Sequence, residues 1–241
     1  MTQDENGFLA RDLRKSFGNH VVLNGLTLDV PRGHTVGLLG ANGAGKTTLL
    51  KILLGLIKPD GGEALIAGES SSHLSPEVRG RIGYVPQSPA QFGWLNGKAM
   101  LDYVGAFYPT YDSEYASALL ERWKVSLKTP IAALSPGQQQ RLSIVRALAP
   151  RPEFIVLDEP IASLDPATRL AVIEELTAER RRRSLTILFS SHITGDLRRL
   201  CSHFAVLAGG RIAVLERTDE LERQASARST DLEVMLSGSM Q

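Results

Sequence analysis

Residues 34 to 50, "HTVGLLGANGAGKTTLL", restrict this chain more than any other stretch. An apolar run of strand length leads into a glycine-rich turn, and a helical pattern starts at about Lys46. The turn matches G-x-x-x-x-G-K-[ST] from Gly40 to Thr47. Gly40, Gly43 and Gly45 let the backbone wrap a phosphate chain closely, so that successive N–H groups face its oxygens. Lys46 then sets a point charge between the β- and γ-phosphates, and Thr47 offers a hydroxyl to Mg²⁺, whose octahedral shell also takes phosphate oxygens and water.

Similar strand-then-helix alternation recurs. "FIVLD" precedes a helix expected after Pro166, and "LTILFSS" precedes one expected after Thr194. Such alternation implies an α/β fold, a P-loop core whose sheet is mostly parallel and covered by helices. The opening "FLARDLRKSFGNHVVLNGLTLDV" carries strand and turn signals without a helix, so an antiparallel β layer is expected beside the main sheet. Behind the turn chemistry of "YPTYDS", Tyr115, Leu119 and Trp123 recur at four-residue spacing. This predicts an inserted α-helical subdomain over 88–150. The ATP-binding core is then 1–87 with 151–224, and 225–241 is a Ser- and Ala-rich tail, loosely ordered.

With 241 residues, 43% of them hydrophobic, the chain can bury a real core. Its 27 Lys and Arg against 26 Asp and Glu give no global argument for nucleic acid as a partner. The single cysteine, Cys201, excludes an internal disulfide and reads as a packing residue. "MTQDENG" has no basic segment running into an apolar one, and no apolar run reaches the ~18 to 20 residues that a spanning helix needs, so the expected location is cytoplasmic. Arg180 to Arg183 close the helix that begins near Pro166, where they are expected to be solvated and to complement its dipole.

"EFIVLDEP" delivers Asp158 from a buried strand to the sheet edge that carries the glycine loop, where it should hold the Mg²⁺ shell. Glu159, one residue on and on the opposite side of the extended chain, can polarise a water aimed at the γ-phosphate. Gln87, after "RIGYVP", can sense metal or attacking water with its amide, and His192, after "LTILFSS", can donate to the γ-phosphate. Asp165, in "ASLDP", closes a turn before the next helix. A second anion site is the helix start in "LSPGQQQRL", where Ser135, Pro136 and Gln138 have the spacing of a capping box with proline at the first helical position.

Taken in order, "GANGAGKTT", "YVPQ", "LSPGQQQRL", "FIVLDEP", "ASLD" and "SSH" resemble the ATP-binding subunit of ATP-binding cassette (ABC) transporters over nearly the whole chain. These would be the Walker A loop, Q-loop, signature motif, Walker B strand, D-loop and H-loop. The resemblance implies an ATPase that pairs head to tail with a second, identical ATP-binding subunit around two Mg²⁺-ATP. It would drive a separate membrane-spanning permease subunit from the cytoplasmic face of the membrane, its only membrane contact being that permease. Asn42, Gly43, Ala44, Gly45, Lys46, Thr47 and Thr48 would hold the phosphates of ATP. Phe17 would stack on adenine, in a place where the family commonly has tyrosine. Thr47, Gln87 and Asp158 would serve the metal, Glu159, Gln87 and His192 the catalysis, and Ser135, Gly137 and Gln138 the nucleotide of the partner subunit.

Pro136 departs from the family's usual glycine, which bears on turnover rate rather than assignment. "AFYPTYDSEYASALLERW" and "SSHITGDLRRLCSHFAVLAGGRI" look like cassettes of ABC-2 exporters. "QFGWLNGKAM" lies where such cassettes meet their membrane partner, with Trp94 either a contact or a core residue. A soluble ABC-type ATPase that remodels a macromolecular complex is the rival. Two fused cassettes, a coiled-coil insertion or zinc-spaced cysteines would favour it, and the sequence has none of these.

Overall fold

The computed structural model describes residues 6–88, 92–162, 164–191 and 195–227. In chain order its elements are β1 (Asn6–Phe17), β2 (His20–Pro31), β3 (Thr35–Leu39), α1 (Lys46–Leu53), β4 (Gly61–Ile66), β5 (Glu69–Ser70), α2 (Pro76–Gly80), β6 (Ile82–Val85), α3 (Gly97–Gly105), α4 (Ser113–Arg122), α5 (Pro136–Leu148), β7 (Phe154–Asp158), α6 (Pro166–Arg183), β8 (Thr186–Ser191), β9 (His203–Ala208), β10 (Arg211–Arg217) and α7 (Thr218–Ala227).

Among the described residues the strands form two sheets, one in the order β2-β1-β4-β5 and one in the order β10-β9-β3-β8-β7-β6. The second is parallel from β9 through β6, with β10 antiparallel at one edge. Its inner strands β3, β7 and β8 are buried at every residue, as strands covered on both faces must be. β10 alternates exposed with partly buried residues, the pattern of an edge strand wet on one face. The first sheet is antiparallel, as the opening sequence predicts, and packs over one face with α1 between the layers. Phe8 of β1 meets Phe154 of β7 edge to face at 5.8 Å. The other face is covered by α5 and α6, with Leu142, Val145, Val172 and Leu176 buried among Ile155, Leu157 and Ile187.

Between β6 and β7 the described chain is helical, and Leu119 and Trp123 are buried. Several expectations change. The segment after Thr194 forms a 3₁₀ turn at Gly195–Arg199 instead of an α-helix. Helix α7 runs through the expected start of the tail at 225, and Ala225 packs into the core. The arginines that end α6 are not simply solvated, because Arg182 and Arg183 turn back onto the fully buried Glu179. Cys201 is buried, which pushes its thiol pKa far up and fits the packing role. Trp94 is 77% exposed, so it is not a core residue.

Candidate functional site

A cleft of about 430 Å³ opens beside α1. It is lined by the loop from Asn42 to Thr48, by Phe17, His20 and Val22 from the antiparallel layer, by Gln87 beyond β6, and by Glu159 beyond β7. The loop's shape needs glycine at two points in particular. Gly43 has φ +82 and Gly45 has φ +105, and a Cβ on Gly45 would come within 2.9 Å of Val22.

Helix starts differ in this protein. At the starts of α2, α3, α4, α5 and α6 the side chains of Ser75, Asn96, Asp112, Ser135 and Asp165 accept a backbone N–H of the first turn. At α1 the N-cap is Gly45, which has no side chain to offer. The first-turn N–H groups of α1 therefore lie uncapped at the positive end of its dipole, in the cleft, which makes the cleft attractive to an anion.

Behind this loop stand the charged groups. Lys46 is buried, and its Nζ donates to the Gly40 carbonyl at 2.7 Å and the Ala41 carbonyl at 3.2 Å, with Glu159 Oε1 3.4 Å away. Asp158 Oδ1 accepts from the Thr47 hydroxyl at 3.1 Å and the Ser190 hydroxyl at 2.8 Å. Its other oxygen, Oδ2, is buried with no hydrogen-bond partner. An ionised oxygen buried alone is costly unless something else binds it. Together with the adjacent Thr47 hydroxyl it supplies the hard oxygen donors that Mg²⁺ prefers, so the residues fit that ion. Among the described residues no three His, Cys, Asp or Glu side chains gather as a metal nest, so the rest of the shell would be ligand phosphate and water. Tyr84, on β6, has its phenol pKa pushed up to about 12 by burial and by the Asp158 charge.

Glu159 lies in the cleft by a different route from the one alternation predicts. The strand ends at Asp158, and Glu159 adopts φ +48, a left-handed turn in place of an extended residue. Its N–H donates to the Ser190 carbonyl at 3.2 Å and hydroxyl at 3.0 Å, which holds the turn. Ser190, His20 and Val22 are site residues that sequence reasoning missed. For Ser190 the polar pair "SS" ending an otherwise apolar strand was the available signal.

Phe17 is half exposed, with Lys15 Nζ 5.4 Å from its ring centroid, and presents a free aromatic face at the cleft's outer end. His192 lies outside the described residues. Asp165 is the N-cap of α6, accepting from Thr168 N at 3.0 Å and Thr168 Oγ1 at 2.7 Å. Ser135, Gly137 and Gln138 do not line the cleft. Their capping box is formed as its spacing implies: Gln138 N donates to Ser135 Oγ at 3.3 Å, and Ser135 N to Gln138 Oε1 at 3.0 Å. This start is exposed at Ser135 and Pro136.

The family described as "ABC transporter" matches residues 23–162. The chain is 36% identical over 206 residues to the Nod factor export ATP-binding protein I of Cupriavidus pinatubonensis, covering 83% of this chain and 63% of that protein. It is 33% identical over 215 residues to the ABC transporter ATP-binding protein YtrB of Bacillus subtilis, covering 89% of this chain and 73% of that one. Three of the matched relatives are longer proteins, of which the chain spans between 55% and 68%. A solved structure of the ATP binding subunit of an ABC transporter superposes with a TM-score of 0.83 at 30% identity, covering 95% of this chain and 99% of that one. A dimeric ATP-binding cassette in a post-hydrolysis state with ADP and Pi shares the fold, with a TM-score of 0.78 at 24% identity over 88% of this chain and 98% of that one.

Proposed function

We propose, from the premise that this chain belongs to the ABC transporter family of ATP-binding cassettes, that it hydrolyses Mg²⁺-ATP and powers transport through a separate membrane-spanning subunit. One observation carries the reading: the uncapped start of α1, buried Lys46 and the Glu159 carboxylate meet in a single cleft. The glycine loop wraps the phosphates and Lys46 holds them. Phe17 covers adenine. Thr47, Asp158 and Gln87 hold Mg²⁺, which when bound neutralises phosphate charge and organises the oxygens around it. Glu159, set by its turn beside Lys46, takes the proton of the attacking water, while Gln87 and His192 sense the γ-phosphate.

Ser135, Gly137 and Gln138 act on the nucleotide of a second, identical chain. Support comes from their exposed helix start, which has no place in the cleft of its own chain. In this reading 1–87 with 151–224 form the ATP-binding core and 88–150 the helical subdomain. The membrane-spanning partner docks where a cleft of about 450 Å³ runs between β6, α3 and α5. There Phe92, Tyr103 and Phe107 meet in a chain of edge-to-face and tilted ring contacts beside exposed Trp94, an apolar patch of the kind that marks a protein interface. No helix of the described residues is long and apolar enough to cross a membrane. In this reading the chain meets the membrane only through its partner, from the cytoplasmic face. The relatives' names favour export as the direction.

The test mixes two inactive variants. Lys46→Ala loses the phosphate charge and Gly137→Asp sets a carboxylate against the partner's γ-phosphate, so each alone should be inactive. A mixed dimer keeps one composite site, and phosphate release should reappear on mixing. Wild-type hydrolysis by Lys46→Ala alone would refute the cleft, and by Gly137→Asp alone the shared site.

A further inference from the structure

Outside the nucleotide cleft, a polar cluster among the described residues joins α4 and the exit of α5 to α6. Arg151, just beyond α5, donates from Nε and Nη2 to Asp112 Oδ2 at 3.1 and 2.7 Å and from Nη1 to Glu179 Oε2 at 3.1 Å. Its guanidinium lies 3.7 Å from the centroid of the Tyr115 ring. Asp112 uses its other oxygen to cap α4, accepting from Tyr115 N at 2.8 Å. The Tyr115 hydroxyl in turn donates to Glu175 Oε1 at 3.1 Å. Glu175 and Glu179 sit one turn apart on α6 and are buried, as carboxylates are only when paired. Burial alone would raise the Glu179 pKa, and Arg183, Arg151 and Arg182 together reverse this and hold it below the ordinary range.

From the exit of α5, this one side chain therefore reaches the cap of α4 and the last turns of α6. The backbone around it reinforces the junction. Asp112 N donates to the Ala149 carbonyl at 2.9 Å, and Thr110 Oγ1 to the Pro150 carbonyl at 2.6 Å. Arg151 itself has φ +56, a left-handed conformation that strains an L-residue with a branched environment of contacts and that asparagine accepts more readily. A planar fork with several donors can bond two carboxylates and lie on an aromatic ring at once, and an ammonium cannot.

We propose that Arg151 is a positioning residue for hydrolysis: by locking α4 and α5 to α6, it sets the orientation in which the Ser135 start of α5 meets the nucleotide of a second chain. The proposal rests on the shared-site reading above. Ser135 and Arg151 bracket opposite ends of α5, so a tilt at the Arg151 end is carried along a rigid helix to the Ser135 end. The junction contributes no group to the cleft of its own chain, so losing it should spare nucleotide capture and impair closure.

Arg151→Asn is the main variant because asparagine keeps the left-handed backbone and removes the fork. Arg151→Lys keeps the charge alone. Arg122→Ala is the comparison, since Arg122 joins α4 to α6 through Glu175, from the exposed side at 2.7 Å, and leaves the exit of α5 out. Fluorescent-ATP binding to Arg151→Asn should stay within about twofold of wild type, while kcat falls roughly 10- to 100-fold, the penalty expected for misplacing a reacting group by about 1 Å. In a Glu159→Gln background, ATP-driven dimerisation followed by sedimentation should weaken by a similar factor. Arg151→Lys should fall between, and Arg122→Ala should turn over like wild type. Wild-type kcat and dimerisation in Arg151→Asn would overturn the proposal, and so would an equal loss in Arg122→Ala, which would reduce the junction to general stability. If Arg151→Asn does not fold, Arg151→Lys decides, with wild-type turnover overturning the proposal. Gly137→Asp is run beside them: full activity there would instead remove the shared-site reading.

Discussion

Helices α1 and α5 begin in opposite ways. The start of α1 has a glycine N-cap and no side-chain hydrogen bond, and opens into a cleft lined by Lys46 and Glu159, with buried Asp158 bonded to Thr47 behind it. The start of α5 is closed by a complete capping box, stands exposed, and faces none of those groups. An uncapped start inside a polar cleft leaves its N–H groups to water or a ligand, whereas a boxed start satisfies them within the chain. In the shared-site reading proposed above, one fold then holds both halves of a site, and joining them takes a second molecule.

The contrast can be broken or sharpened by substitution. The largest effect is expected at Glu159→Gln. Removing a positioned base should slow phosphate release by about 10² to 10⁴-fold while ATP still binds the α1 cleft. Undiminished turnover would remove Glu159 from the mechanism. Next comes Ser190→Ala, which strips one hydrogen bond from Asp158 and one from the Glu159 N–H in a fully buried place. It should cost about 1 to 3 kcal/mol in urea unfolding, and a smaller change than a surface mutation gives would mean that the turn at Glu159 holds itself.

A finer test compares caps. Ser135→Ala and Ser75→Ala each remove an N-cap and should each cost about 1 kcal/mol in stability. If α5 is a half-site, Ser135→Ala should lower turnover well beyond what Ser75→Ala does at equal loss of stability. Equal turnover in the two would leave α5 an ordinary capped helix.

The smallest effect is electrostatic and appears only in acid. The Asp112 carboxyl is held below its ordinary pKa by the Tyr115 N–H and by Arg151, and Glu179 is held low by its arginines against the opposing cost of burial. A depressed carboxylate contributes stability above its unfolded pKa and loses it as pH falls through the folded value. Their contribution to the melting temperature should therefore be full and independent of pH near neutrality, and should decline below about pH 4. That decline should be shallower in Arg151→Asn, whose Asp112 has lost its cation. An identical profile would mean that the Arg151 fork contributes no measurable linkage.

Much of this was legible because it is local. β3, β7 and β8 are continuous apolar runs bounded by turn residues, and a buried strand has no other way to read. Gly40 to Thr47 form one uninterrupted segment, so their types alone imply the wrapped loop. The box at Ser135 closes over three residues and formed as read. Other features stayed hidden. The left-handed turn at Glu159 could not be foreseen, since glutamate is no usual occupant of positive φ and the Ser190 that holds it arrives from a different strand. Arg182 and Arg183 read as solvated because Glu179, though only one turn away, gives no sign in sequence that it is buried.

By itself, then, the amino-acid sequence determined the buried central strands, the helices that open near Lys46, Pro136 and Pro166, where the glycine-rich loop lies, and that a buried strand carries Asp158 to it. These follow from periodicity, glycine placement and capping, all of which act over a few residues. Tertiary structure alone decided that Asp158 keeps one oxygen free of protein hydrogen bonds and that His20 and Val22 wall the cleft. It also decided that Arg151 ties three helices together while the α5 start lies outside its own chain's cleft. Those outcomes depend on which surfaces pack when the sheet closes, and packing brings together residues that no local pattern links.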